Sequence, residues 1–321
     1  MSRNLLTIAL TGLLLLTVSS CSRTHKRTIG VVSKGQAHEY WNSVHAGAEA
    51  AGQAAGVEIL WNGPAQETDL TRQIQIVESM ITQHVDGIAL APVDKTALVP
   101  YVERAQKEGI PVAIYDSGLD SQNYLCFIAT NNYQAGQMAA RKLGELLKGQ
   151  GSVLEVKHMP GSASSMDRES GFAETLQHEF PKVHVVGEEF GMGDRDKVMG
   201  VTENLLTAHP DADAIFASAE SSSVGAARAV EERHLTGKIK FVGFDSSHEL
   251  IQALDKNVIN ALVVQDPFRI GFEAVQSIAN AMKGQQPPRH MDLNAILITK
   301  ADLTKPAIQA LLNPGSVKHQ D

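Results

Sequence analysis

Aromatic side chains are scarce in this chain, at 5% of residues with two Trp in all, yet Tyr40 and Trp41 stand side by side in the stretch HEYWNSVHAG, just past a short apolar run. A core needs neither at the end of a strand. Two rigid apolar surfaces there suit the C–H-rich face of a small polyhydroxylated ligand. Hydroxyl-binding groups recur at the ends of later apolar runs. Asp116 precedes Ser117, Arg168 closes the segment GSASSMDR, Glu220 stands between Ser218 and Ser221, Asp245 precedes Ser246 and Ser247, and Gln265 precedes Asp266 and Pro267. His38 accompanies the aromatic pair. Carboxylates accept, guanidinium and amide groups offer planar forks, and a hydroxyl can both donate and accept. A bond with one charged partner is stronger than a neutral one. A water-excluded site built from Asp116, Arg168, Asp245 and Gln265 would bind hydroxyls and reject analogues lacking them, because its own polar groups would go unpaired.

Each of these residues also has a plainer occupation. Tyr40 and Trp41 can pack at the start of a helix, and Asp116 can hold a turn. Asp245 can cap a following helix, and Glu220 can sit in a first turn, where acids are favoured. Arg168 can stand solvated at a helix start, Gln265 can simply end a strand, and His38 can be a surface residue.

The elements that would position these groups follow from the periodicity. From Thr28 onward, short β-branched apolar runs alternate with longer helical patterns. The runs predict strands over 28–33, 57–61, 87–91, 111–115, 152–156, 183–190, 214–217, 240–244 and 261–264. Helices are predicted over 40–55, 68–83, 96–107, 133–147, 169–179 and 196–208, among others. Leu70, Ile74, Val77 and Ile81 form one apolar stripe at three- and four-residue spacing. Continuous apolar strands alternating with helices imply parallel sheets covered on both faces. So many strands exceed one comfortable doubly wound sheet, which implies an α/β protein of two similar domains, the first ending near Ala129. In such sheets ligands sit beyond the carboxyl ends of the strands, which is where the polar groups recur. No floppy linker is evident, so several short crossings join the domains.

The 321 residues, 43% hydrophobic and 20% charged, describe an ordinary globular chain behind a distinct N-terminus. Arg3 and the apolar run 5–18 read as a signal peptide over residues 1–20, too short for an ordinary membrane span. The run ends Val18-Ser19-Ser20-Cys21, similar to a bacterial lipobox. That likeness implies lipidation of Cys21 and a short tether over 21–27, hence an extracytoplasmic chain held to a membrane only through its lipid. The other cysteine, Cys126, lies in an apolar run and reads as a buried free thiol. The net charge of −8, without clustered Lys and Arg, disfavours nucleic acid.

The segments Gly243-Phe244-Asp245, GSASSMDRESGF (161–172) and NLLTAHP (204–210) resemble the sugar-binding type I periplasmic binding proteins, with the ribose binders as the familiar branch. The likeness runs from about Thr28 to about Ile298. It implies two doubly wound parallel-sheet domains joined by three crossovers, with the ligand clamped in the cleft between them. One lobe would comprise 28–129 with 267–296, the other 130–266 with 297–321. The resemblance also implies a monomer that delivers its ligand to an ABC permease in the cytoplasmic membrane, or presents it to a chemoreceptor, and it implies no cofactor and no metal. It sets Tyr40 and Trp41 on the stacking aromatics, Asp116 on the carboxylate after the fourth strand, Arg168 on the arginine of the second domain, and Asp245 and Gln265 on the last acid and amide of the pocket.

Several positions depart from the ribose binders. His38 stands where they carry asparagine, Ser117 where they carry arginine, Gly193 where they carry an aromatic, and Ala219 where they carry another asparagine. Ribose itself is therefore not singled out, and pentose, hexose, polyol, inositol and furanose ligands all fit. Three acids, Asp116, Glu220 and Asp245, against Arg168 favour a neutral ligand. An enzyme is disfavoured, since no GxSxG, HExxH, CxxC or P-loop motif is present. The pair Asp116 and Asp245 could in principle do acid–base work on a sugar, as paired carboxylates do in glycosidases. A LacI-type repressor would need a DNA-reading domain where this chain has signal and tether.

Overall fold

A computed structural model describes residues 26–313. Cys21, the signal segment and the tether up to residue 25 lie outside the described residues. The chain order is β1 (Thr28–Val32), α1 (Glu39–Ala55), β2 (Glu58–Asn62), α2 (Leu70–Thr82), β3 (Gly87–Leu90), α3 (Val99–Lys107), β4 (Val112–Tyr115) and β5 (Cys126–Thr130). A second series repeats the pattern: α4 (Asn132–Leu146), β6 (Gln150–Lys157), α5 (Ala163–Glu179), β7 (Lys182–Phe190), α6 (Arg195–Ala208), β8 (Ala214–Ala217), α7 (Glu220–Glu232), β9 (Lys240–Phe244), α8 (His248–Asp255) and β10 (Ala261–Val264). The chain closes with α9 (Pro267–Ala281), β11 (His290–Leu293), β12 (Ile296–Ile298) and α10 (Pro306–Leu312).

Among the described residues the strands form two six-stranded sheets, ordered β11-β5-β4-β3-β1-β2 and β12-β10-β9-β8-β6-β7. All pairings are parallel except β10 with β12. Strands such as β3, β4, β8 and β10 are buried at every position, as their unbroken apolar runs require. The periodicity does not reveal β5, β11 or β12, and α5 begins at Ala163, earlier than the predicted 169. The last two strands are short and carry charged or exposed residues, so they lack the signature of a buried strand.

The chain passes between the sheets at three places: from β5 into α4, which packs on α5; from β10 into α9, which packs on α1; and from β11 into β12. Two of these passages double as helix caps. The Asn131 side chain accepts from Gln134 N, and the Asp266 side chain accepts from Arg269 N ahead of Pro267. A capping side chain satisfies an otherwise orphaned N–H and fixes where the helix starts. The crossings are thereby short and defined.

Each lobe also holds a helix pair in which both partners place a glycine at the contact. A Cβ on Gly47 of α1 would lie 1.9 Å from Phe268 O, and one on Gly271 of α9 would lie 2.1 Å from Val44 O. The counterpart in the second lobe puts a Cβ on Gly136 of α4 2.0 Å from Arg168 O, and one on Gly171 of α5 2.1 Å from Tyr133 O. Backbones this close leave no room for a methyl group. The α4–α5 contact also sets the backbone of Arg168. Gly200, inside α6, has open space around its would-be Cβ.

Gly136→Ala should therefore lower stability by roughly 1–3 kcal/mol in urea unfolding, through overpacking. Gly200→Ala should raise it by about 0.4–1 kcal/mol by restricting the unfolded chain. Equal effects at the two positions would contradict the packing described.

Candidate functional site

Both lobes send the carboxyl ends of their strands to one cleft, whose inner cavity has a volume of about 40 Å³. The eight residues singled out from the sequence, His38, Tyr40, Trp41, Asp116, Arg168, Glu220, Asp245 and Gln265, all line it. So do Lys34, Glu67, His158, Ser164, Ser165 and Ser221. Lys34 follows β1, Glu67 lies between β2 and α2, and His158 follows β6. The rule that ligand groups sit past strand ends would have found these three, had it been applied to the end of every strand. Ser164, Ser165 and Ser221 stood in stretches already marked.

The two aspartates occupy matching places. Asp116 follows β4 and Asp245 follows β9, each fourth in its lobe's strand series. Both have left-handed backbones, φ 63° and 69°, a region in which Asp is one of the tolerated residues. Each N–H is held by the neighbouring strand, Asp116 N donating to Ile128 O at 2.9 Å and Asp245 N to Val263 O at 2.8 Å. The side chain of Asp245 does not cap the helix that follows it, because Ser247 caps α8. The plainer reading of Asp245 therefore fails.

The Tyr40 hydroxyl donates to Asp116 Oδ1 at 2.6 Å, and Lys34 Nζ lies 3.0 Å from Asp116 Oδ2. Burial raises the Tyr40 pKa well above its usual range, and the charges of Asp116 and Asp245 add to it, so the phenol stays protonated. Gln265 Nε2 donates to Asp245 Oδ1 at 2.6 Å, and Glu220 N donates to Asp245 Oδ2 at 3.1 Å. Burial holds the Asp245 carboxyl above the usual range, opposed first by Arg168 and then by the Gln265 bond. Arg168 is pinned by bonds to Asn132 Oδ1 at 2.8 Å and Ser218 O at 3.1 Å, with its guanidinium carbon 3.9 Å from the centre of the Phe244 ring. Its Nη1 stands 3.9 Å from Asp245 Oδ2. Such a pinned fork is ready to bind a hydroxyl between itself and the carboxylate.

Tyr40 and Trp41 meet edge to face, with centroids 5.0 Å apart, and both are buried. They belong to the core of the first lobe and line the cavity as well. Packing and ligand contact are therefore not exclusive for this pair.

One wall is a charged bridge between the lobes. Glu67 Oε1 accepts from Trp41 Nε1 at 2.7 Å, and Glu67 Oε2 lies 2.9 Å from His158 Nε2. His38 Nδ1 stands 3.5 Å from Glu67 and 3.6 Å from Glu220. Burial opposes ionisation of Glu67 most strongly, yet the His158 bond and the charges of His158, His38 and Lys34 outweigh it and hold the carboxyl far below its usual range. Further crossings come from Lys34 Nζ to Ser162 and Ser164 at 3.1 and 2.9 Å, from Ser164 N to Ser117 Oγ at 3.1 Å, and from His248 N to Glu39 at 2.9 Å. The charge count of three acids to one arginine is thus revised. Glu67 joins the acids, while Lys34 joins Arg168, and Arg195 bonds to Glu220 from the rim.

A family model described as "Periplasmic binding protein domain" matches residues 29–286. The chain belongs to that family. Among solved structures, this periplasmic binding protein is similar to a carbohydrate transporter solute-binding protein from Agrobacterium radiobacter in complex with D-arabinose, at 32% identity and a TM-score of 0.87 over 90% of this chain and 99% of that one. A solute-binding protein from Agrobacterium vitis bound with α-D-tagatopyranose is 26% identical, with a TM-score of 0.86 over 89% and 99%. The ribose import binding protein of Bacillus subtilis is 28% identical over 260 residues, 81% of this chain and 83% of that protein. The type I fold, and membership of the ribose-binding kind, follow from these likenesses together with the two-sheet topology.

Behind the cavity two more carboxyls are buried. Glu169 accepts from Ser218 Oγ at 2.8 Å and from His158 N at 3.2 Å, and so supports the His158 backbone. Glu155 on β6 is 2% exposed, and its Oε1 has no hydrogen-bond partner. Burial, with the charges of Glu169 and Glu188 added and Lys157 opposing, pushes Glu155 from an ordinary 4.5 up to about 8. A carboxyl whose pKa is raised on folding contributes fully below the unfolded value and loses that contribution as pH climbs to the folded one. Stability should therefore fall between about pH 4.5 and 8 through this residue. Glu155→Gln should leave the unfolding temperature near wild type at pH 5 and raise it above wild type at pH 8. A variant whose difference from wild type stays constant with pH would show that Glu155 does not titrate in this window.

Proposed function

We propose that this chain is the substrate-binding component of an ABC transporter, which captures a neutral sugar or polyol between its two lobes and delivers it to a membrane permease. The observation that carries this reading is the convergence in one cavity of an edge-to-face aromatic pair from one lobe and a pinned arginine, carboxylate and amide from the other. The aromatic rings offer cover for the apolar face of a sugar, and Asp116, Arg168, Asp245 and Gln265 offer charged and amide partners for its rim. The relatives described with D-arabinose, tagatopyranose and ribose support a carbohydrate ligand.

Capture proceeds by hinge closure. The ligand bridges Asp116 on the first lobe (28–129 with 267–296) and Arg168 or Asp245 on the second (130–266 with 297–321). It binds the closed form better than the open one and shifts the population accordingly. The chain works outside the cytoplasm as a monomer, tethered through a lipid on Cys21, and performs no reaction on its ligand.

Thermal unfolding with D-ribose, D-allose, D-arabinose and D-tagatose, each in excess, tests this. A sugar at about one hundred times its Kd adds about 2.7 kcal/mol, enough to raise the unfolding temperature by several degrees. Asp245→Asn and Arg168→Ala should each abolish that rise. Wild-type affinity retained in both would sink this placement of the pocket.

A further inference from the structure

Beside the inner cavity lies a larger space. A vestibule of about 270 Å³ opens between the lobes and shares His38 and Glu67 with the inner cavity as common walls. The first lobe bounds it with small residues, Gly35, Ala37 and Ala65, and the second lobe with Met192, Gly193 and Arg195. Gly193 has φ 70°, and a Cβ there would stand 3.2 Å from His158 Cε1 and 3.5 Å from Glu67 Cβ. A bulky side chain at this position, such as the aromatic of the ribose binders, would press on the wall between the two spaces. With glycine, the partition is limited to the His38, Glu67 and His158 side chains.

The partition holds unmet polar capacity. Glu220 is 3% exposed, and its Oε2, which faces His38 at 3.6 Å, has no hydrogen-bond partner. Arg195 Nε is likewise buried without a partner. The open acceptor belongs to a wall of the inner cavity and the open donor to a wall of the vestibule, and hydroxyls can satisfy either kind. The fixed cations here are already neutralised, Arg195 by Glu220 and Glu249, and Arg228 by Glu249 and Asp196. A phosphate or carboxylate would find no free cation, whereas a neutral hydroxylated group meets no charge penalty.

We propose that the vestibule is a second sugar subsite and that the ligand is a glycoside, with one ring in the inner cavity and a further neutral hydroxylated unit between the lobes at Gly193 and Ala65. This rests on the reading of the inner cavity as a sugar site. For the glycosidic link to pass, the His38–Glu67–His158 wall must part.

Isothermal titration of the full chain distinguishes the possibilities. The probes are D-ribose, D-arabinose, D-glucose and D-galactose, their methyl glycosides, and the disaccharides maltose, cellobiose, lactose and melibiose. The tightest ligand should be a glycoside that binds at least about tenfold better than its parent monosaccharide. Ala65→Trp and Ala37→Trp, at exposed positions on the vestibule wall, should each erase that advantage and leave the monosaccharide within about twofold of wild type. A monosaccharide that binds as well as every glycoside would overturn the inference. So would a tryptophan variant that weakens monosaccharide and glycoside alike. Failure of every carbohydrate to bind wild type would overturn the sugar-site reading itself, and this inference with it.

Discussion

Charge buried at strand ends governs this molecule. Asp116 and Asp245 stand at equivalent positions of two separately built sheets, each on a left-handed residue and each tied to the adjacent strand. A buried carboxylate is costly unless it is paired and hydrogen-bonded. Asp116 is met by Lys34 and Tyr40, and Asp245 by Gln265, the Glu220 amide and, at longer range, Arg168. One of these partners, Lys34, also reaches the opposite lobe, where it touches the serines at the start of α5, and beside it Glu67 joins Trp41 to His158. The solution to a local desolvation problem is therefore also the means by which one lobe senses the other.

The scaffold serves this arrangement through rigid backbone contacts. The glycine pairs between α1 and α9 and between α4 and α5 bring helix backbones together, and the second pair fixes the turn that carries Arg168. The crossings at Asn131 and Asp266 begin as helix caps. The groups that line the cavity stand at the strand ends and helix starts of their own lobe or in the loops between them.

Much of this was legible in the sequence because parallel strands buried on both faces must be continuously apolar and must end at the ligand edge. Runs such as 214–217 and 261–264 therefore gave both the strand and the address of Glu220 and Gln265. Strands β11 and β12 escaped because they are short and partly exposed, so neither apolar continuity nor alternation marks them. Lys34, Glu67 and His158 also stand past strand ends, so their address is legible, but their pairing is not. Charged residues are ordinarily solvated, and nothing local in sequence reveals that Glu67 will meet His158 some ninety residues away across a cleft. Pairing between lobes is a property of the assembled fold. The repeat of an aromatic, Asp and Ser after the fourth strand of each lobe is visible in the sequence, but the left-handed backbone of both aspartates is not.

The central claim is that one small molecule is held at once by the carboxylate, lysine and aromatic groups of one lobe and the guanidinium, carboxylate and amide groups of the other. A crystal structure of the chain grown with its best-binding sugar tests it most directly. The account predicts density for the sugar against Tyr40 and Trp41, with hydroxyls on Asp116 and on Arg168 or Asp245. Density confined to one lobe, or lying outside the cleft with these side chains still bonded only to each other, would contradict it.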